Sequence, residues 1–238
     1  MRSNHREERR LNTTSDELAA ALRGDAKALK ALARDKSAAA SRALAQVARQ
    51  AKGFDARDEA VVTLSKRVGD SAAFDALVSI TADKKAMSFS NIGTHVVEAI
   101  ARHRDARVVA CLVKLTRSPR KARAVAIASL AQRVAQDKSE RGNRSIAAAF
   151  AGALRDDSRA TRYDAASGLV HCPDARALAP LITCARDKSV DVRLAAYRAI
   201  AAIDGPNALA ALEAIARTAS KAERTWTLDK LIARRSRA

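Results

Sequence analysis

Arg162-Tyr-Asp-Ala-Ala-Ser-Gly-Leu169, Arg193-Leu-Ala-Ala-Tyr-Arg-Ala-Ile200 and Arg224-Thr-Trp-Thr-Leu-Asp-Lys-Leu231 follow one another at intervals of 31 residues. Each opens on Arg and closes seven positions later on Leu or Ile. Between them Leu181 and Leu212 keep the same offset, and so do Arg155-Asp156-Asp157-Ser158 and Arg186-Asp187-Lys188-Ser189. A period of a few tens of residues marks an array in which one supersecondary unit recurs and neighbours bury each other's apolar faces.

Upstream, Arg123 to Leu130 has the same form but lies 39 residues before Arg162. The surplus is the polar stretch Asp137-Lys-Ser-Glu-Arg-Gly-Asn-Arg144, read as a lengthened loop. Before residue 93 the anchors conflict. Ile92 to Ile100 is a degenerate copy without the Arg, Arg57 to Leu64 fits in form, and Arg34-Asp35-Lys36-Ser37 repeats Arg186-Asp187-Lys188-Ser189 residue for residue. No strict alternation of helices satisfies all three, which implies an extra or irregular helix in the N-terminal half.

The rest of the composition agrees with a helical array. Hydrophobic residues make up 48% of the 238 residues, enough for a continuous core, yet aromatics are only 3% and Ala dominates. That balance favours thin layers of closely approached helices. Alternating β-branched runs are scarce, and the chain has only 8 Gly and 4 Pro, so it reads as helical throughout. The first residues carry charge without an apolar stretch, and no apolar run reaches the length of a membrane span. A cytoplasmic protein without membrane contact is the expectation, with a basic and polar tail at 1–13 and one array over 14–238.

Arg193 with Val192 after Asp187, followed by Ala195-Ala196 and Ile200, and an apolar helix from Ala208 to Ala216 behind the Gly205-Pro206 turn, resemble HEAT repeats, in particular the short phycobilisome-lyase-type form. The resemblance implies an all-α, right-handed α-solenoid of stacked two-helix repeats. It also implies that the Arg-bearing second helices, around residues 91–103, 120–136, 158–171, 189–203 and 221–233, line a concave groove. The Asp rung of the family stands at Asp156 and Asp187, while Arg117 and Thr218 occupy its other positions. The recurring Arg123, Arg162, Arg193 and Arg224 share the period of the fold, so they read as structural.

The formal net charge is +18, which attracts acidic proteins and polyanions. It is unevenly spread: residues 101–123 hold eight Lys/Arg against one acid, residues 217–238 seven against two, and residues 157–216 balance at seven each. Lys66-Arg67, Arg102, Arg104, Arg133 and Arg234-Arg235 fall at the C-terminal ends of second helices, where cations complement the helix dipole. Lys84-Lys85, Arg117, Arg120-Lys121 and Arg159 fall at the opposite ends, before or within the first turn, where they oppose it. The second group points to a partner, and Trp226 and Phe89 are candidate contacts. Two further segments, Met87-Ser-Phe-Ser-Asn91 with two exposed apolar residues and Asp137–Arg144, are candidate working loops.

No phosphate-binding Gly loop, paired-carboxylate arrangement or metalloprotease motif occurs. Cys111, Cys172 and Cys184 lack C-x-x-C spacing, and His171-Cys172 with Cys184 falls one ligand short of a closed zinc site. No cofactor and no small-molecule substrate follow. The sequence therefore predicts a non-enzymatic scaffold for an acidic protein surface, with sequence-independent nucleic-acid binding as the alternative. A HEAT-like DNA glycosylase, for which Trp226 is the available groove aromatic, is a distant third.

Overall fold

The computed structural model describes residues 13–235, and their side chains apart from those of residues 90, 225, 226, 230, 234 and 235. The chain is all-α, built from stacked helix pairs, and no strand occurs among the described residues. It divides into two compact units, residues 1–126 and 127–238, with the division inside one helix. The tail expected at 1–13 lies, except for Thr13, outside the described residues, and no helix among them is long and apolar enough to cross a membrane.

The first unit contains α1 (described from 13 to 22), α2 (Ala26–Arg34), α3 (Ala38–Gln50), α4 (Phe54–Ser65), α5 (Ser71–Thr81), α6 (Lys84–Ser88), α7 (Ser90–Arg102), α8 (Val108–Leu115) and the start of α9 (Arg120–Gln136). Starts are written in the sequence as side-chain caps. Asp25 accepts from the amides of Lys27 and Ala28, Asp70 from Ala72 and Asp83 from Ala86. Helix α3 packs on α4 and on α5, while α4 packs on α7. First helices thus stack on first helices, and second on second.

The conflict of anchors before residue 93 has a local cause. Asp35 Oδ1 accepts from the Ser37 amide at 2.8 Å, and Asp187 Oδ1 from the Ser189 amide at 2.9 Å. The shared Arg-Asp-Lys-Ser thus stops one helix and starts the next in both places. At residues 34–37 it joins a second helix, α2, to a first helix, α3; at 186–189 it joins a first to a second. It marks a junction and carries no register. The irregular element is α6, five residues long, set against α7 where Gly93 lets the backbone close in. A Cβ at Gly93 would stand 2.5 Å from the Met87 carbonyl oxygen.

This corrects the loop expected at Met87–Asn91. Met87 ends up buried in α6, and Phe89 is half-buried beneath the Arg57 guanidinium, 4.7 Å from the ring centroid.

The second unit holds the rest of α9, a 3-10 turn (Lys138–Glu140), α10 (Arg144–Ala153), α11 (Arg159–Leu169), α12 (Leu178–Cys184), α13 (Val190–Ala202), α14 (Pro206–Thr218), α15 (Lys221–Glu223), a π-helical turn (Arg224–Leu228) and α16 (Asp229–Arg235). Helix α10 pairs with α11 and α12 with α13, and α11 stacks on α13. The core is dominated by Ala, Leu, Ile and Val, with Phe150 and Tyr197 as its largest fully buried side chains. Phe150 fits because residue 168, opposite its ring, is Gly: a Cβ there would meet ring carbons at 2.4 Å. The lengthened loop after α9 is present as the 3-10 turn and its flanks.

Candidate functional site

Of the recurring arginines, Arg162 and Arg193 are structural members of the array. Arg162 Nη1 donates to the carbonyls of Asp156 and Asp157 at 2.8 and 3.0 Å, while Nε and Nη2 hold the Asp187 carboxylate at 2.7 and 3.2 Å. Arg193 repeats this on the Asp187 and Lys188 carbonyls, at 2.8 and 3.2 Å, and reaches Glu223 at 2.7 Å. In the first unit Arg57 Nε donates to the Ala51 carbonyl, again six residues back, at 2.6 Å. Its onward contact is the Phe89 ring instead of a carboxylate.

Each arginine therefore ties the loop before its own helix to the following repeat. Thr218 leaves the expected rung empty, and Glu223, five residues later, fills it from α15. Burial raises the Glu223 carboxyl, but the hydrogen bonds from Arg193 and Ser220 and the Arg193 charge together outweigh that and hold it at about 2. Burial, with the Glu223 charge beside it, pushes the Tyr197 phenol up to about 12. Asp187 shows the same competition, burial raising it and Arg162, the Ser189 amide and Arg193 together leaving it below the usual carboxylate range.

In the first unit the connections after second helices are tied together. Arg67 donates to Ser41 Oγ at 2.8 Å and to the carbonyls of Leu32, Ala33 and Asp35 at 3.1, 3.2 and 2.8 Å. It thereby satisfies the orphan acceptors at the end of α2. His103 Nε2 meets the Arg67 carbonyl at 3.0 Å, and the Arg104 amide donates to Val68 at 3.1 Å. Arg107 chelates Asp105 at 2.8 and 2.7 Å, reaches Asp75 at 2.7 Å and lies over Phe74; the net charge of its segment gave no sign of this.

Arg67 is accordingly removed from the candidate partner-binding residues, because its guanidinium is spent on the fold. Lys66 and Arg104 are exposed, and Arg102 is exposed with a loose 3.5 Å pair to Glu98. In the second unit Arg133 is half-buried and faces Glu140 at 3.6 Å, which makes it a poor candidate as well.

The other ends of the helices differ. Lys84, Lys85, Arg117, Arg120 and Lys121 are all exposed, and among the described residues no side-chain hydrogen bond or ion pair engages any of them, whereas Arg159 of the second unit is paired with Asp191 at 2.9 Å. The face between the two edges is not basic. Asp55, Asp58 and Glu59 on α4 and Glu98 on α7 lie there, with His95 Nδ1 2.6 Å from Asp58 Oδ1. The expected basic groove is corrected, in this unit, to basic edges flanking a mixed face. The side chains of Trp226, Arg234 and Arg235 lie outside the described residues.

Cys172 and Cys184 are buried, and their thiols donate to the carbonyls of Glu140 and Leu154 respectively. Burial raises both above the usual thiol range, Cys184 to about 11.

The family model for HEAT repeats matches residues 146–231, from α10 into α16. Over that stretch the chain is similar to HEAT repeats. No curated protein matches the chain in sequence. Among solved structures, a designed armadillo repeat protein in complex with the peptide (KR)4 is 19% identical, with a TM-score of 0.53, 93% of this chain and 97% of that one being covered. An engineered protein is 20% identical, TM-score 0.52, over 82% of this chain and 94% of its own. A second engineered protein is 18% identical, TM-score 0.53, over 92% and 72%. These likenesses show the fold, a helical repeat stack of the HEAT and armadillo kind.

Proposed function

We propose that this protein is a non-enzymatic HEAT-repeat scaffold that binds an acidic protein partner through the basic edge formed by Lys84, Lys85, Arg117, Arg120 and Lys121. The observation carrying the reading is that these five cations are exposed and unpaired, with Lys84 opening α6 and Arg120 and Lys121 opening α9. The helix dipole disfavours positive charge at those starts, so stability gives no account of these three; Lys85 in α6 and Arg117 in the turn between α8 and α9 extend the same patch. The designed armadillo repeat protein noted above holds a basic peptide; with a net charge of +18, this chain is complementary to the opposite sign.

The test is fluorescence anisotropy of labelled poly-L-glutamate and of a short labelled DNA duplex, each titrated across a salt series. The wild type is compared with a variant carrying Lys84→Glu, Lys85→Glu, Arg120→Glu and Lys121→Glu. Poly-glutamate binding that the variant loses supports the reading. A DNA affinity that exceeds it and falls steeply and linearly with log salt replaces it with nucleic-acid binding. Unchanged binding by the variant overturns the placement of the surface.

A further inference from the structure

A second basic feature lies on the first helices of the first unit. Helices α1, α3 and α5 enclose a groove of about 510 Å³ lined by Thr14, Ser15 and Leu18 of α1, by Ala39, Arg42, Ala43, Gln46 and Arg49 of α3, and by Ser79 of α5. Its charged lining residues are both arginines. Ala39 and Ala43, on the α3 side, are small enough for a bound chain to come close. Arg42 is exposed, and Arg49 spends one nitrogen, Nη1, on Ser79 at long distances of 3.4 and 3.5 Å. Gln46 stands between them on the same face, donating to Gln50 and keeping its own oxygen as an acceptor.

The dimensions select a ligand. Arg42 and Arg49 are seven residues apart on one helix, about 10.5 Å along its axis at ~1.5 Å per residue. In a polyproline II segment, side chains three residues apart project from the same side and are about 9.3 Å apart. In a β-strand three residues span about 10 Å, but the two side chains point to opposite faces. A helical ligand, roughly 10–12 Å across, would need more volume than this groove holds to reach both arginines. Guanidinium groups hold carboxylates through paired, charge-assisted hydrogen bonds.

We propose that the groove across α3 receives a polyproline II segment of an acidic protein, with carboxylates three residues apart on Arg42 and Arg49 and the backbone between them meeting Gln46. The proposal rests on the reading of the partner as acidic, and adds the conformation and spacing of the sequence recognised.

The experiment uses the full chain and two labelled peptides of equal composition and charge, one with Glu-Pro-Pro-Glu and one with Glu-Glu-Pro-Pro at its centre. Anisotropy at low salt is expected to show the spaced peptide binding at least about tenfold more tightly. Arg42→Gln with Arg49→Gln is expected to abolish that preference. Arg155→Gln with Arg198→Gln, which removes equal charge from exposed sites elsewhere, retains it. If the double groove variant loses its helical circular dichroism, Arg42→Gln alone reads the same preference from an exposed position.

Equal binding of the two peptides, or a preference that survives in the folded groove variant, overturns the proposal. If that happens while the edge variant still loses poly-glutamate, the groove inference fails and the edge reading stands. A spacing preference confined to the groove, with poly-glutamate binding untouched by the edge variant, has the reverse meaning.

Discussion

Arg193 and Glu223 meet at 2.7 Å across 30 residues of sequence, and Tyr197 joins them with its hydroxyl 3.2 Å from the same carboxylate oxygen. The carboxylate also accepts from Ser220, closing the cap of α15. Glu223→Gln removes the charge that both contacts use. A loss of about 1–2 kcal/mol in urea unfolding is expected, the low end for hydrogen bonds to charged groups because the side chains keep some access to water.

The same residue sets a pH dependence. Its carboxyl is held at about 2 in the folded chain against an ordinary value of 4.5. Its contribution is therefore complete above about pH 4.5 and is lost as the pH falls toward 2, because the unfolded chain binds the proton first. Glu223→Gln is expected to flatten the stability profile in that window and leave its slope near neutrality unchanged, as read by denaturation at a series of pH values.

Gly168→Ala places a methyl group 2.4 Å from ring carbons of Phe150, a fully buried side chain. Overpacking of this kind is expected to cost about 1–3 kcal/mol. Because the strain is shared between two residues, pairing Gly168→Ala with Phe150→Leu should cost less than the sum of the single changes, a non-additivity that a double-mutant cycle measures.

Arg67→Ala strips the hydrogen bonds from Ser41 and three carbonyls at once. A loss of about 2–3 kcal/mol is expected, whereas Lys66→Ala, next to it and exposed, should change stability by less than about 0.5 kcal/mol. Comparing the two melting curves separates the cation that serves the fold from its neighbour.

The 31-residue period, the second helices and the structural role of Arg162 and Arg193 were all readable from sequence, because each recurs and recurrence needs no third dimension. Helices α7, α9, α11 and α13 begin and end within about two residues of the expected bounds. The basic segments were equally visible as charge. Their sorting was not: Arg67 and Lys66 are adjacent in sequence, yet one is consumed by carbonyls from α2 and the other faces solvent. Such differences depend on contacts 26 to 35 residues away. Glu223 escaped notice for a related reason, since it fills the rung from outside the expected register. The groove across α3 had a weak signal in Arg42, Gln46 and Arg49, spaced at four and three residues along one helix face, but the helices that wall it come from elsewhere in the chain.

The Arg-Asp-Lys-Ser turn stands both before a first helix and before a second. Its defining bond, from the Ser amide to the Asp carboxylate, is closed within three residues, so the turn can end any helix of the stack and open another, whichever layer each belongs to.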